Sequence, residues 1–195
     1  MARGEDLGLG LGKLVTLPKP GKPAGPVKYI RPIVLLPLLR KLLSLIILER
    51  VRQPVDAFLS PSHSGFRSGR SCADVVWAHR WLIAKTLRYK VVVNILGIDM
   101  SRAFDTIDRA KLLNILESID GLKEDDRRLI RVMLSNTSLQ VQFNNILTKP
   151  FSSNIGSPQG DGLSPSLFAI YLEAAVRDLL GNRRLKRREL DETLI

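Results

Sequence analysis

Cysteine is nearly missing from this 195-residue chain. Cys72 stands alone, which excludes an internal disulfide framework, and with two histidines no cluster has zinc-site spacing. A long apolar run is missing too. The longest, Ile33 to Leu48, is broken by Pro37, Arg40 and Lys41 and falls short of the ~20 residues a membrane helix needs. The N-terminus has no secretory pattern, because Glu5 and Asp6 precede a Gly–Leu alternation without a cleavage site. Excess charge is absent from the second half: residues 91–195 hold 14 Lys/Arg against 14 Asp/Glu. Residues 1–90 hold 16 against 5, so the whole net charge of +11 sits there. Such asymmetry joins a region suited to a polyanion, nucleic acid above all, to a neutral region able to hold cations on its acids. At 45% hydrophobic residues the chain can bury a real core, enough for one domain or one domain plus part of another.

What is present is organised around Val91-Val92-Val93-Asn94-Ile95-Leu96-Gly97-Ile98-Asp99-Met100. Residues 91–98 are apolar on both parities, the pattern of a central strand covered on both faces. The run ends on Asp99, and two readings fit. The carboxylate can cap a turn, or the rigid end of a buried strand can hold it facing a cleft.

Around this stretch the chain divides readily. Lys13–Leu17 and the residues after Pro32 predict a hairpin whose Pro/Gly-rich tip carries Lys19 and Lys22, with Lys28 and Arg31 on the return. Lysines act there as point charges and an arginine as a fork, a combination suited to phosphates, although a solvated basic loop fits equally. A well-buried helix is expected from Leu38 to about Arg52, ending before Pro54. The loop from Ser60 to Arg70 interleaves Phe66 with Arg67, Arg70 and two glycines, as a backbone-tracking contact would. Ser71 with Asp74 predicts a capping box on a helix to about Leu87 that buries Val75, Val76, Leu82 and Ile83. A helix from Asp108 to Ser118, stopped by Gly121, and another from Asp125 to Leu134 follow, with Asp125-Asp126 read as caps. Residues 139–143 alternate as a half-exposed strand that turns at Asn144-Asn145. The glycine-rich loop from Asn154 to Gly162 leads to Ser164 as N-cap and Pro165 as first residue of a helix ending at Gly181. Arg183–Arg188 fits a solvated helix face better than a nuclear-localisation or phosphate patch.

Together these stretches resemble reverse transcriptases, most closely those of non-LTR (LINE-like) retrotransposons, over about residues 13–180. Leu17-Pro18-Lys19-Pro20-Gly21-Lys22 with Tyr29-Ile30-Arg31-Pro32-Ile33 is similar to the family's fingers hairpin, and Gly65-Phe66-Arg67-Ser68-Gly69-Arg70-Ser71 to its template-contacting motif. Ile98-Asp99-Met100-Ser101-Arg102-Ala103-Phe104-Asp105 resembles the first catalytic palm motif, and Ser157-Pro158-Gln159-Gly160-Asp161-Gly162-Leu163-Ser164-Pro165 the second.

The resemblance implies an α/β (α+β) fold of the polymerase right-hand type. It divides the chain into a flexible N-terminus (1–12), a basic fingers region (13–90), a partial palm (91–181) and a charged, truncated tail (182–195). The palm should be a mainly antiparallel sheet backed by helices. The implied function is RNA-templated DNA synthesis with an RNA template, a DNA primer and deoxynucleoside triphosphates as partners, and no membrane. Asp99 is then the catalytic carboxylate and, with the backbone carbonyl of Met100, a ligand of a Mg2+ pair. Arg31, with Lys22 or Lys28, holds the triphosphate; Phe104 is the gate against a ribose 2′-hydroxyl; Gln159 and Gly160 face the nascent base pair; and Gly65, Phe66, Arg67 and Arg70 contact the template.

Two departures qualify the match. His63 stands where the family usually has glutamine, and the third palm motif, aromatic-x-Asp-Asp, does not follow the last helix; Tyr171-Leu172-Glu173-Ala174 does not match it. The chain is therefore expected to be a fragment without thumb or endonuclease and inactive alone. Its rivals are a non-catalytic nucleic-acid-binding remnant and a group II intron-type reverse transcriptase, towards which Pro158-Gln159-Gly160 leans.

Overall fold

The structure is a computed structural model that describes residues 9–21, 23, 29–135, 137–143 and 146–181. Lys22, Lys28, the Asn144-Asn145 turn, most of the N-terminal segment and the tail 182–195 lie outside the described residues.

Two strands, β1 (Leu11–Pro18) and β2 (Ile30–Leu35), form the expected antiparallel hairpin, with Leu17 opposite Arg31 and Leu14 opposite Val34. The other edge of β1 pairs in parallel with β3 (Ser138–Phe143), which also takes β4 (Ile146–Leu147) and β5 (Phe151–Ser152) antiparallel. The result is a mainly antiparallel five-stranded sheet with β2 on an edge. Behind it sit α1 (Leu38–Phe58), α3 (Arg109–Glu117), α4 (Glu124–Ser135) and α5 (Ser164–Gly181). Ile47, Val51, Leu112, Leu116, Ile130, Leu167 and Ile170 close one core between these helices.

Several expectations are corrected. Helix α1 runs through Pro54 to Phe58 instead of stopping before it. An internal proline costs about 3 kcal/mol, but the extra turn buries Val55 and Leu59, together about 3–6 kcal/mol. Burial therefore wins. Nor is α1 buried all round: the stripe Arg40, Ser44, Ile47, Val51 and Val55 is buried, with Leu43, Leu48 and Phe58 packed beside it, while Leu38, Leu42 and Leu45 are exposed. Asp126 is no mere cap. It shares the inward stripe of α4 with Ile130 and Met133, and its Oδ1 lies 2.7 Å from Arg50 Nε on α1. Among the described residues no hydrogen bond reaches that oxygen, so the contact is one of charge.

The largest correction concerns residues 72–100. Helix α2 (Cys72–Tyr89) has the expected capping box, with Ser71 and Asp74 bonding each other's backbone, yet none of its residues is buried, and Val75, Val76 and Ile83 are exposed. Residues 91–100 form no strand and are exposed throughout. The physical reason is a missing neighbour. β3 gives its edges to β1, β4 and β5, and among the described residues no strand pairs with residues 91–98. Without a ladder or a covering layer, an apolar run is not held as a strand and leaves its backbone to water.

Candidate functional site

The loop from Gly156 to Asp161 is the point where the separate motifs meet. On one side it is stitched to the turn after Asp99: the Ser157 amide donates to the Phe104 carbonyl and the Gly156 amide to the Ile107 carbonyl, both at 2.9 Å. Gly156 has φ +76°, and a Cβ there would stand 2.8 Å from the Phe104 carbonyl oxygen and the Asp105 Cα. On the other side, the Val34 amide, on the edge strand β2, donates to the Gln159 carbonyl at 2.8 Å. Gly160 follows with φ +121°, so close to β2 that a Cβ would meet the Val34 oxygen at 2.4 Å. Only glycine allows this approach. A small cavity of about 220 Å3 opens between loop and hairpin, with Pro32, Val34, Asp105, Pro158 and Gln159 in its wall.

Below the loop, the hydroxyl of Ser164 donates to the Pro158 carbonyl at 2.8 Å and lies 2.6 Å from the Ser157 hydroxyl. Ser164 is thus the first residue of α5 with its side chain turned to the loop, rather than the expected N-cap. Asp161 is buried; its Oδ1 accepts the Leu163 amide at 3.1 Å, and its Oδ2 receives Arg40 Nε at 3.1 Å.

Phe104 carries the site outward. Its ring lies edge-on to Phe66 at 6.1 Å and against Phe168 of α5 at 5.2 Å. Phe66 is exposed and held at φ +54°, an uncommon conformation for an aromatic residue. Arg67 beside it turns inward. Its Nε bonds Asp56 at 2.5 Å, and its terminal nitrogens take the Ser60 carbonyl at 2.8 Å and the Asp56 carbonyl at 3.1 Å. That guanidinium holds the Asp56 carboxyl below its ordinary value, and the carboxylate raises Arg67 in return. Arg67 therefore shapes the loop, while Phe66 and Arg70 are exposed at its surface.

Arg31 is exposed on β2, and Gln159 and Gly160 are exposed on the loop rim. Asp99 and Met100 lie in the exposed run before the Phe104 turn. The described residues do not fit a metal pair: no group of three or more His, Cys, Asp or Glu is placed to hold an ion. Mg2+ needs several oxygens in octahedral array, more than one carboxylate and a carbonyl can fix.

Two arginines were not foreseen. Arg109, just inside α3, reaches the carbonyls of Gly156 (2.7 Å), Leu134 and Ser153 (both 2.5 Å) and so holds the approach to the loop. Burial lowers its pKa, with the charge of Arg40 adding to the effect. Nothing in the local sequence marks Arg109. Arg40 did leave a signal, a charge on the same i, i+4, i+7 stripe as Ser44 and Ile47.

The model of the family described as reverse transcriptase (RNA-dependent DNA polymerase) matches residues 17–188. This chain belongs to the reverse transcriptases. Its similar proteins in Drosophila melanogaster are named as RNA-directed DNA polymerases, from transposon BS (27% identical over 83% of this chain) and from the X-element (29% over 83%). These agree with the non-LTR likeness of the motifs. The chain spans 18% of the length of each. In fold it is similar to an apo telomerase from Candida tropicalis, with a TM-score of 0.58 and 15% identity over 91% of this chain and 41% of that one. The right-hand polymerase fold expected from the sequence thus holds for this reverse transcriptase domain. Among the described residues no helix is long and apolar enough to cross a membrane.

Proposed function

We propose that this chain is the part of a reverse transcriptase that receives the incoming deoxynucleoside triphosphate and the RNA template paired with its DNA primer. The observation that carries this reading is the 156–161 loop, bonded at once to the Phe104 turn and to β2, with Phe66 against Phe104. Segments far apart in sequence, each assigned to nucleotide or template, meet at one place. In this reading residues 13–90 act as fingers and 91–181 as palm. Arg31, with Lys22 or Lys28, binds the triphosphate. Gln159 and Gly160 back the nascent pair, Phe66 and Arg70 meet the template, with Gly65 and Arg67 shaping their loop. Phe104, wedged between Phe66 and Phe168, is rigid enough to act as a wall against a 2′-hydroxyl. The +11 charge of residues 1–90 draws in the polyanion.

Asp99 and the Met100 carbonyl would be one side of a Mg2+ site, which by themselves they do not complete. In this reading the chain on its own binds template–primer and does not extend it. Fluorescence anisotropy with an RNA–DNA duplex tests this: affinity should fall at least about tenfold between roughly 50 and 200 mM salt. A flat titration removes the basic half as the footprint. Primer extension by this chain, abolished in Asp99→Ala, would overturn the claim that it is inactive alone. In a longer polymerase containing it, Phe104→Ala should admit ribonucleotides; unchanged sugar selectivity would remove Phe104 from the gate.

A further inference from the structure

We propose that Arg40 and Asp161 form a positioning pair that sets Gln159 for the nucleotide. The inference rests on the proposed nucleotide site and adds residues to which the motifs assign no role. Arg40 is 2% exposed at its side chain and Asp161 4%, and they meet at 3.1 Å. The rest of the guanidinium is occupied as well: one terminal nitrogen donates to the Met133 carbonyl at 2.9 Å and the other to the Leu9 carbonyl at 3.2 Å. Arg40 thus ties α1 to the last turn of α4, to the lead into β1 and to the loop. A buried charge with this many fixed partners has one low-energy place for its carboxylate, because any shift leaves both ions desolvated and unpaired.

Asp161 passes that constraint to Gln159 through a short, stiff path. Gly160 cannot move towards β2, since its Cα already lies where a Cβ would strike the Val34 oxygen. The Gln159 carbonyl is fixed by the Val34 amide on the outer edge of β2. The loop is therefore clamped from two sides, by a backbone hydrogen bond at Gln159 and by a buried ion pair at Asp161. The Gln159 side chain, exposed at the mouth of the cavity, stands on a backbone that neither side lets slide. Arg40 acts only through Asp161.

Amide hydrogen exchange at Val34 reads the clamp directly and needs no catalysis. In Asp161→Asn, in Arg40→Met and in the double variant Arg40→Met/Asp161→Leu, exchange at Val34 should quicken about tenfold, the protection lost with one hydrogen bond. Val15, within the β1–β2 ladder, should keep its rate. If the single variants fail to fold, the double variant decides, because exchanging a buried ion pair for apolar side chains is commonly tolerated. Unchanged exchange at Val34 in a folded double variant overturns the proposal. In a longer polymerase containing the chain, the double variant should raise KM for deoxynucleoside triphosphate about tenfold with kcat held, whereas mere loss of folded protein lowers kcat alone. An unchanged KM overturns the link to the nucleotide. Failure of the wild type to bind template–primer would instead sink the parent reading and leave the exchange result standing.

Discussion

Two regions of this molecule, well separated in sequence, are held by opposite means. The loop hub at 156–161 is fixed by contacts reaching across the chain: backbone bonds to Phe104 and Val34, a buried ion pair to Arg40 and the carbonyl clamp of Arg109. Among the described residues, the interactions of residues 72–100 are local. Helix α2 rests on its capping box and on Lys85 set over the rings of Trp81 and Tyr89 at 5.3 and 5.6 Å. Its Trp77 is 68% exposed, and in the run beyond it Val92 is 82% and Leu96 84% exposed. A solitary 18-residue helix is marginal in water on such support. The contrast teaches that apolar content does not measure how firmly a segment is placed. The hub is rich in glycine, proline and polar groups and is over-determined; the run that looks most like a core is not covered by any of the described residues.

Paired substitutions break the comparison most sharply. Gly160→Ala should cost about 3–5 kcal/mol, from a strained φ and a clash with the Val34 backbone. Gly97→Ala, with nothing within 4 Å of its Cβ, should change stability by less than about 0.5 kcal/mol. Urea unfolding of both measures the difference, and equal effects would mean that the regions are not distinct. Next, Ile47→Ala in the core should cost about 2–5 kcal/mol, against less than about 0.5 kcal/mol for Trp77→Ala on the open face of α2. Arg109→Met should destabilise by about 2–3 kcal/mol, since it strips the carbonyls of Gly156, Leu134 and Ser153 of a charged donor. Arg109→Lys should recover little of this, because an ammonium cannot span the same fork.

The smallest effect is one of pH. Asp56 has a folded pKa below its ordinary 3.8, owing to the Arg67 hydrogen bond. Its contribution is complete above that value and is lost as pH falls through the lowered one. Asp56→Asn should therefore weaken the Phe66 loop at neutral pH and make no difference in strong acid. Proteolysis at Phe66 at the two pH values, with proteases suited to each, reads this out.

Much of the architecture was legible beforehand, because it depends on neighbours in sequence. Strands β1 and β2 pair as expected, Ser71 and Asp74 cap α2, Leu112 and Leu116 repeat at helical spacing, and residues 139–143, which alternate as a strand must, lie in β3. The glycines of the 156–161 loop were legible too, since close approach demands glycine whatever the partner. What could not be read was who those partners are. Arg40 and Asp161 are 121 positions apart, and the Arg50–Asp126 contact likewise joins separate helices. Pro54 continues a helix that local rules end, because Val55 and Leu59 gain more by burial than the proline costs. The run at 91–98 marks the opposite limit. By itself the sequence determined that this segment is apolar on both parities and would need cover on both faces. Whether it has that cover is decided by the tertiary structure, since a strand is completed only by another strand's backbone.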